Sequence, residues 1–247
     1  MENNQLIIYG KNAVLEVLKS DKSINALYIQ KGVKNIGEHI SLAKKSGVVI
    51  KEVTAEKLDS FSEGNRHGGV AVALSAIEYS TVEEILSSSE TPFLLIVDGI
   101  EDPHNLGALI RTAEAAGVDG VIIPKRRNVP VTSAVYTASA GAVAHMKIAR
   151  VTNLVDTIKM LKNHNIWVYG AETDGTSYTD VDFSGSGGVA LTIGSEGQGL
   201  GRLVRENCDV IVSIPMHGKI NSLNASVCGG ILMFHISHET VTMKGGG

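Results

Sequence analysis

The sequence has little of what several function classes require. Only 4% of its 247 residues are aromatic, which disfavours RNA recognition by rows of exposed stacking rings. Its two cysteines, Cys208 and Cys228, lie in apolar settings without metal-ligand spacing, so we interpret them as buried thiols. His104, His145 and His217 are likewise unlinked by any such spacing, and we expect no metal. Neither a signal-peptide pattern nor an apolar run of membrane-spanning length is present, so we expect a soluble cytoplasmic protein without a membrane partner.

Bulk composition favours a folded protein with no overall charge signature. Apolar residues make up 43% of the chain, enough for a packed core, and its length suits one large domain or two modest ones. The formal net charge of −4 gives no global attraction to nucleic acid. Any basic surface for such a partner must therefore be local.

The pattern of apolar runs divides the chain into segments. Residues 1–76 predict a small α/β domain, and the Ser- and Glu-rich residues 77–91 have the composition of a linker around one short helix. In residues 92–242 continuous apolar runs alternate with amphipathic stretches, which predicts a parallel sheet with helices on both faces. Residues 243–247 are expected to form a frayed tail. The larger domain's predicted strands are Phe93–Val97, Val121–Ile123, Ile166–Tyr169, Val189–Ile193 and Val210–Val212, and its predicted helices include Thr132–Gly141 and Asn221–His238.

A first polar cluster follows the first of these strands, at the start of a helix. In an open α/β sheet this is where ligands bind. Asp102 or His104 can cap the helix, and capping alone explains them. Arg111, six positions beyond Asn105, lies one to two turns into an otherwise apolar helix. Its guanidinium either pairs with an acid such as Glu114 or forms a bidentate clamp on a phosphate.

A second cluster follows the strand that ends near Gly194. Glycines alternate there, which permits close backbone approach to a ligand. The spacing departs from the dinucleotide fingerprint, and no Walker A lysine is present. Glu196 lies at the tip of this loop, where it is either solvated, orders the loop or contacts a substrate.

A third cluster, Asn221-Ser222-Leu223-Asn224, precedes the closing helix and follows the strand end Ile214-Pro215-Met216. Asn221 or Ser222 is an ordinary helix N-cap. Gly229 and Gly230 then stand in the helix interior, where each costs roughly 1 kcal/mol relative to alanine. We therefore expect a close neighbour there, either within the fold or across a dimer interface.

Together the three clusters resemble the signature motifs of the SpoU (TrmH-like) RNA ribose 2′-O-methyltransferases. The likeness runs from Asn105 to Arg111, through Gly194-Ser195-Glu196-Gly197, to residues 214–226, in matching order and spacing. The N-terminal segment, with its Tyr9–Val14 and His67–Val70 stretches, is similar to the substrate-binding domain of the bacterial ribosomal-RNA branch. Within that branch the likeness is greatest to the guanosine-specific enzymes of 23S rRNA.

The resemblance implies a fold, a methyl donor and partners. It implies an α/β catalytic domain with a deep C-terminal trefoil knot, which nothing in the periodicity shows. It further implies S-adenosylmethionine as donor, RNA as substrate and an obligate homodimer. The backbone around Gly194, Ile214 and Leu223 would hold the adenosine moiety in a pocket with apolar faces.

The resemblance also assigns roles to the site residues. Asn105 and Asn224 would orient ribose and donor, Ser222 would bond near the methionine or the hydroxyl, and Glu196 would hold the second loop. A ribose hydroxyl must lose its proton as the methyl group transfers, and the guanidinium pKa makes Arg111 a poor base. Arg111 would instead position a phosphate and stabilise the developing alkoxide. RNA contacts would come from a local basic patch, composed of Lys11, Lys31, Lys34, Arg126 and Arg127.

Two other function classes stay open at this point. A non-catalytic RNA-binding or ribosome-assembly factor would keep the fold, although the retention of Arg111 and Asn224 counts against it. A tRNA ribose methyltransferase is the alternative within the same chemistry. A nucleotide-dependent oxidoreductase using the glycine loop lacks a complete dinucleotide fingerprint.

Overall fold

The structure is a computed structural model that describes residues 5–75, 77–184 and 187–244. Its contacts divide the chain into two compact units. The first contains residues 1–78 and 131–145, and the second contains residues 79–130 and 146–247. The sequence pattern had grouped 131–145 with the larger domain, whereas these residues pack in the smaller unit. The assignment of a substrate-binding and a catalytic role to separate domains stays a prediction.

The first unit is a four-stranded mixed sheet with helices. The sheet order is β1-β4-β2-β3, in which β4 runs antiparallel to both of its neighbours and β2 pairs with β3 in parallel. Strand β4 is fully buried, as its Val-Ala-Val-Ala-Leu sequence requires. The strands are β1 Leu6–Tyr9, β2 Ile24–Gln30, β3 Ile50–Val53 and β4 Val70–Leu74; the helices are α1 Lys11–Lys19, α2 Gly37–Lys45, α3 Ala55–Ser62 and α6 Ser133–Ala138.

Residues 131–145 are tightly fitted to helix α1 within this unit. The imidazole Nε2 of His145 lies 3.0 Å from a carboxylate oxygen of Glu16. Gly141 has a φ of 96°, and a Cβ built on it would lie 2.6 Å from the Glu16 Cβ and 3.1 Å from the Ala13 Cα. Because one of those atoms belongs to the backbone, the contact leaves no room for a side chain at position 141.

The second unit is a six-stranded, wholly parallel sheet, as the apolar runs predict. Its order is β10-β8-β9-β5-β6-β7. The central strands β5 and β9 are buried along almost their whole length. The strands are β5 Phe93–Asp98, β6 Gly120–Pro124, β7 Ile148–Val151, β8 Trp167–Ser177, β9 Val189–Gly194 and β10 Val210–Ser213; the helices are α4 Val82–Leu86, α5 Pro103–Ala115, α7 Leu154–Asn163, α8 Arg202–Asn207 and α9 Ala225–Lys244.

The parallel architecture predicted from the sequence is confirmed, but the knot that the resemblance implies stays a prediction. Two differences concern the ends of elements. Strand β8 continues well beyond Tyr169, and its polar extension made it look shorter in the sequence. Helix α9 begins at Ala225 rather than Asn221, because the side chain of Asn224 caps it. Of the expected tail, residues 243 and 244 are helical, and 245–247 lie outside the described residues.

Helices α5 and α9 pack against each other on the sheet. A Cβ built on Gly229 would lie 2.5 Å from the Leu109 Cδ2. This helical glycine therefore allows the two helices to approach closely, as we expected from the helix stability that a glycine sacrifices. The opposite side of α9 is less covered, since Val227 and Phe234 are 49% and 52% exposed. Over the described parts of the chain, no helix is both long and apolar enough to span a bilayer.

Candidate active site at the carboxyl edge of the parallel sheet

The three polar clusters meet at one edge of the second unit's sheet. Because all six strands are parallel, their carboxyl ends lie at the same edge, where ligands bind in open α/β sheets. The register places Asp98, the last residue of β5, directly opposite Gly194, the last residue of β9. Two cavities open at this edge, and they share Ser195, Glu196, Gln198 and Gly199 as a common wall.

The larger cavity, of about 720 Å³, has both apolar and polar surfaces. Ile193, Ile214 and Leu223 contribute aliphatic side chains, and the backbone of the glycine loop forms another side. Its other lining residues are Ala171, Glu172, Thr173, Gly194–Gly199, Met216, Asn221, Ser222, Asn224, Ala225 and Cys228. This combination of apolar faces and backbone polar groups suits a flat heterocycle that makes a few directed hydrogen bonds.

The smaller cavity, of about 550 Å³, is more highly charged. Two arginines, Arg127 and Arg202, line it together with the amide of Asn105. Its other lining residues are Asp98–Asp102, Ser195, Glu196 and Gln198–Gly201. Arg127 has a φ of 58°, an uncommon backbone conformation for a residue other than glycine. Guanidinium groups suit a phosphate, but four carboxylates, of Asp98, Glu101, Asp102 and Glu196, line the same cavity, and Arg202 is paired with Glu206 at 2.7 Å.

Asn224 joins the three clusters through both ends of its amide. Its Nδ2 donates to the Asn105 Oδ1 at 3.0 Å and to the Glu196 Oε1. Its Oδ1 accepts the backbone N–H of Ser226 at 2.9 Å and of Val227 at 3.3 Å, which is N-cap geometry for α9. The amide therefore connects the start of the helix to the first two polar clusters.

Residues 195–201 form a loop between the two cavities, which we call the partition loop. Its backbone closes on itself through paired hydrogen bonds between Ser195 and Gly199, at 3.1 and 2.9 Å. Gly194 is needed at its base, since a Cβ there would lie 2.2 Å from the Gly199 carbonyl carbon. Two carboxylates hold its far end: Glu172 accepts from the Leu200 N–H at 2.6 Å, and Asp98 from the Gly201 N–H at 2.8 Å.

The acidic loop before α5 is fixed by separate contacts. Asp102 caps α5 by accepting the His104 N–H at 3.0 Å. The Ile100 N–H donates to the Asn128 Oδ1 at 2.9 Å, and the Val129 N–H donates back to the Ile100 carbonyl at the same distance. These bonds join the loop after β5 to the basic segment that contains Arg127.

The remaining site residues predicted from the sequence lie elsewhere. Arg111 is exposed on α5 and lines neither cavity, and within the described ranges no salt bridge includes it. The ion pair with Glu114, one of the two alternatives for this guanidinium, is therefore not formed. Arg126 is exposed and lines neither cavity, unlike its neighbour Arg127. In the first unit, the Lys11 Nζ donates to the Lys34 carbonyl at 2.8 Å.

Both cysteines are partly buried and protonated at neutral pH. Desolvation raises the pKa of Cys228, in the wall of the larger cavity, to about 11. Desolvation also raises the pKa of Cys208 to about 11. Neither thiol is therefore an activated nucleophile at neutral pH, since the thiolate is the reactive form.

Comparison with known sequences decides the family. Residues 92–234 match the model of the SpoU rRNA Methylase family, which is more than half of the chain. The chain belongs to the SpoU methylase family. Residues 7–80 match a second model, described as an RNA 2′-O ribose methyltransferase substrate-binding domain. This SpoU protein is 45% identical to YacO of Bacillus subtilis (strain 168) over 236 residues, 93% of this chain and 94% of that one; YacO is named in the TrmH family of tRNA/rRNA methyltransferases.

Solved structures show the same fold at lower sequence identity. The SpoU chain matches an AdoMet-bound rRNA methyltransferase from Sinorhizobium meliloti with a TM-score of 0.80 and 24% identity, covering 96% of this chain and 88% of that one. It matches the SpoU methyltransferase AviRb from Streptomyces viridochromogenes with a TM-score of 0.81 and 19% identity, covering 96% and 91%. At these identities the likeness is one of fold.

Four residues with side chains that bond or line the site have no role predicted from the sequence. They are Asp98, Glu172, Asn128 and Arg202. Asp98 ends a buried strand at the ligand edge and Arg202 follows the glycine loop, so position alone was a usable signal for both. Glu172 had none, because its place in the site depends on β8 continuing through polar residues.

Proposed function

We propose that this protein is an S-adenosylmethionine-dependent 2′-O-ribose methyltransferase that modifies a guanosine of 23S rRNA. The observation that carries the proposal is the Asn224 amide, which joins Asn105 and Glu196 at the wall shared by the two cavities. One wall between two ligand-sized cavities suits a reaction that transfers a group between two substrates. Since the proposed substrate is bacterial rRNA, the proposal includes a cytoplasmic location.

The larger cavity suits the methyl donor. Gly194 lines its base, where the Gly199 backbone packs too closely for a side chain, and Ile214 and Leu223 supply aliphatic faces for an adenine ring. Ser222 lines the same cavity, where its hydroxyl can bond the donor's methionine portion or the acceptor hydroxyl. When bound, the donor supplies an electrophilic methyl group on a sulfonium sulfur.

The smaller cavity suits the acceptor nucleotide. Arg127 provides positive charge for the phosphates that flank a ribose, and Arg202 adds to it if it exchanges its Glu206 partner for a phosphate. Asn105 lines this cavity while bonded to Asn224 of the other, so a ribose hydroxyl beside it would face the shared wall. Holding the two reactants across one wall supplies much of the rate, because the transfer then requires little further ordering.

The position of Arg111 indicates that the active protein is a homodimer. An arginine that stabilises a developing alkoxide must reach the reacting oxygen, yet Arg111 is exposed and lines neither cavity of its own chain. Helix α9, which packs on the Arg111 helix, exposes Val227, Ile231 and Phe234 at i, i+4 and i+7, a single apolar stripe. We infer that two copies pack through this stripe, and that each Arg111 serves the other copy's cavities.

Methyl transfer from tritiated S-adenosylmethionine to 23S rRNA, followed by mapping of ribose-methylated positions, tests the function. We expect label at a guanosine 2′-oxygen. Arg111→Ala should abolish transfer while calorimetric donor binding persists, because the role proposed for Arg111 is to stabilise the acceptor's developing alkoxide rather than to hold the donor. Normal turnover by that variant would contradict its role, and wild-type protein that binds no donor would end the proposal.

A purified heterodimer of Arg111→Ala and Asn224→Ala chains tests the assignment of Arg111 to the second copy. If each Arg111 serves the other copy, one of the two sites keeps both residues, and the heterodimer regains about half of wild-type activity. The two homodimers, which should be inactive for Arg111→Ala and about 10²-fold slower for Asn224→Ala, serve as the controls. A heterodimer as inactive as the homodimers would place Arg111 in its own chain's site.

Two alternatives predict different outcomes in the same assay. The tRNA/rRNA naming of the relatives makes a tRNA ribose the second candidate. Label that enters a tRNA transcript but not 23S rRNA would favour it. A non-catalytic ribosome-assembly factor would bind rRNA without incorporating label into either transcript.

A further inference from the structure

We propose that Asp98 and Glu172 are positioning residues that fix the partition loop from opposite sides, so that Glu172 sets the donor site and Asp98 the acceptor site. The two acids stand on the strands that flank β9, the strand from which the loop emerges. The ligand assignment of each cavity rests on the proposed function. The roles of the two acids rest on their hydrogen bonds to the loop and on the cavity that each lines.

The sheet register brings the two carboxylates to one level. Asp98 is paired with Gly194, and Ala171, the residue before Glu172, is paired with Ile193. Each acid therefore flanks the end of β9 from a different neighbouring strand. Both are partly buried, so their hydrogen bonds are less screened by water than bonds at a fully exposed site.

The acids accept consecutive backbone N–H groups of the loop. Glu172 holds Leu200 at 2.6 Å, and Asp98 holds Gly201 at 2.8 Å. Carboxylate to N–H bonds are charge-assisted and stronger than neutral ones. Two such bonds on adjacent amides fix the position of the peptide between them, and with it the end of the partition loop.

Glu196 is thereby free for a different contact. Its carboxylate accepts from the Asn224 amide and, at 3.4 Å, from the Ala225 N–H. It thus ties the tip of the loop to the start of α9, while the loop's far end depends on Asp98 and Glu172. Three acids hold one loop at three points, and each makes contacts that the others do not.

The cavities separate the two positioning residues. Glu172 lines the larger cavity and is absent from the lining of the smaller one, whereas Asp98 lines the smaller cavity only. A shift of the loop away from Glu172 changes the larger cavity first, and a shift away from Asp98 changes the smaller one first. Loss of either residue should therefore affect one substrate more than the other.

Calorimetric binding of S-adenosylmethionine and steady-state methylation of a 23S rRNA transcript test this separation. We expect Glu172→Ala to raise the donor Kd about tenfold while KM for RNA changes less than about twofold. Asp98→Ala should leave the donor Kd within about twofold and raise KM for RNA, or lower kcat, about tenfold. Glu90→Ala, an exposed acid before the first strand of the sheet, is the control.

Conservative variants separate positioning from charge and from folding. Glu172→Gln and Asp98→Asn keep an oxygen that can accept the same N–H but lose the charge, so each should lose less than its alanine variant does. Glu172→Asp keeps the charge but shortens the reach, and should behave like Glu172→Ala. This variant also tests the idea if the alanine variant fails to fold, as thermal melting would show.

The outcomes distinguish the inference from the proposed function. If both alanine variants weaken donor and RNA binding to the same degree, or if neither affects either substrate, the positioning roles are wrong while methyl transfer by the wild type stands. A wild-type protein that neither binds the donor nor transfers methyl overturns the proposed function and this inference with it.

Discussion

Replacement of Asn224 tests whether its two structural roles can be separated. In Asn224→Ala, α9 loses its cap, which costs about 1 kcal/mol and should lower the Tm by about 2–4 °C in a protein of this size. The same change removes the N–H donor that joins Asn105 and Glu196. Misplacement of site groups by about 1 Å can cost 10²-fold in rate, so we expect kcat to fall by about that factor.

Asn224→Ser is the matched control. Serine caps helices about as well as asparagine, so the Tm should stay within about 1 °C of wild type. Its hydroxyl cannot reach Asn105 and Glu196 together, so the loss of kcat should equal that of the alanine variant. Differential scanning calorimetry and methyl-transfer kinetics measure the two effects. Wild-type turnover by the serine variant would refute the role of Asn224 in joining Asn105 to Glu196. An equal drop in Tm for both variants would refute its role as the helix cap.

The remaining predictions concern folding, titration and assembly. Gly141→Ala should destabilise the protein by about 1–3 kcal/mol in urea unfolding, because the site has positive φ and no space, whereas Gly37→Ala, in open space at a helix start, should change little. Since the folded pKa of Cys208 and of Cys228 is about 11, and an unfolded thiol titrates at about 8.5, the folded state binds protons more tightly. The thiols' contribution to the free energy of unfolding should be fully present below about pH 8.5 and decline as the pH rises toward 11. The double variant Cys208→Ala/Cys228→Ala should show a flatter decline over this range. Phe234→Glu should convert the proposed homodimer to a folded monomer in sedimentation, and an unchanged dimer would place the interface elsewhere.

The parallel sheet could be predicted because its strands are buried on both faces. A strand such as β5 must then read as a continuous apolar run, and the runs alternate with amphipathic helices. Strands β1 and β7, each a four-residue strand at an edge of its sheet, were not predicted. Strand β3 begins only at Ile50 although Val48 and Val49 are apolar, because the Val48 N–H still bonds the Ala43 carbonyl at the end of α2.

The site could be predicted as three clusters but not as a set of contacts. Asn105, Glu196 and Asn224 follow strand ends in the sequence, and the sheet brings strand ends together. The hydrogen-bond partner of each of these side chains depends on strand register and on side-chain length, and the apolar pattern of the sequence does not determine them. Glu172 illustrates this point, since its role depends on a strand continuing two pairings beyond its apolar core.

The placement of residues 131–145 has a consequence for protein engineering. A chimera that replaces only residues 1–78 with those of a homologue would keep the original residues 131–145 beside a new α1. Gly141 would then face a helix surface to which it is not fitted. The smaller unit is encoded by two separate stretches of the gene, for residues 1–78 and 131–145. A transfer of this unit to another protein must include both stretches.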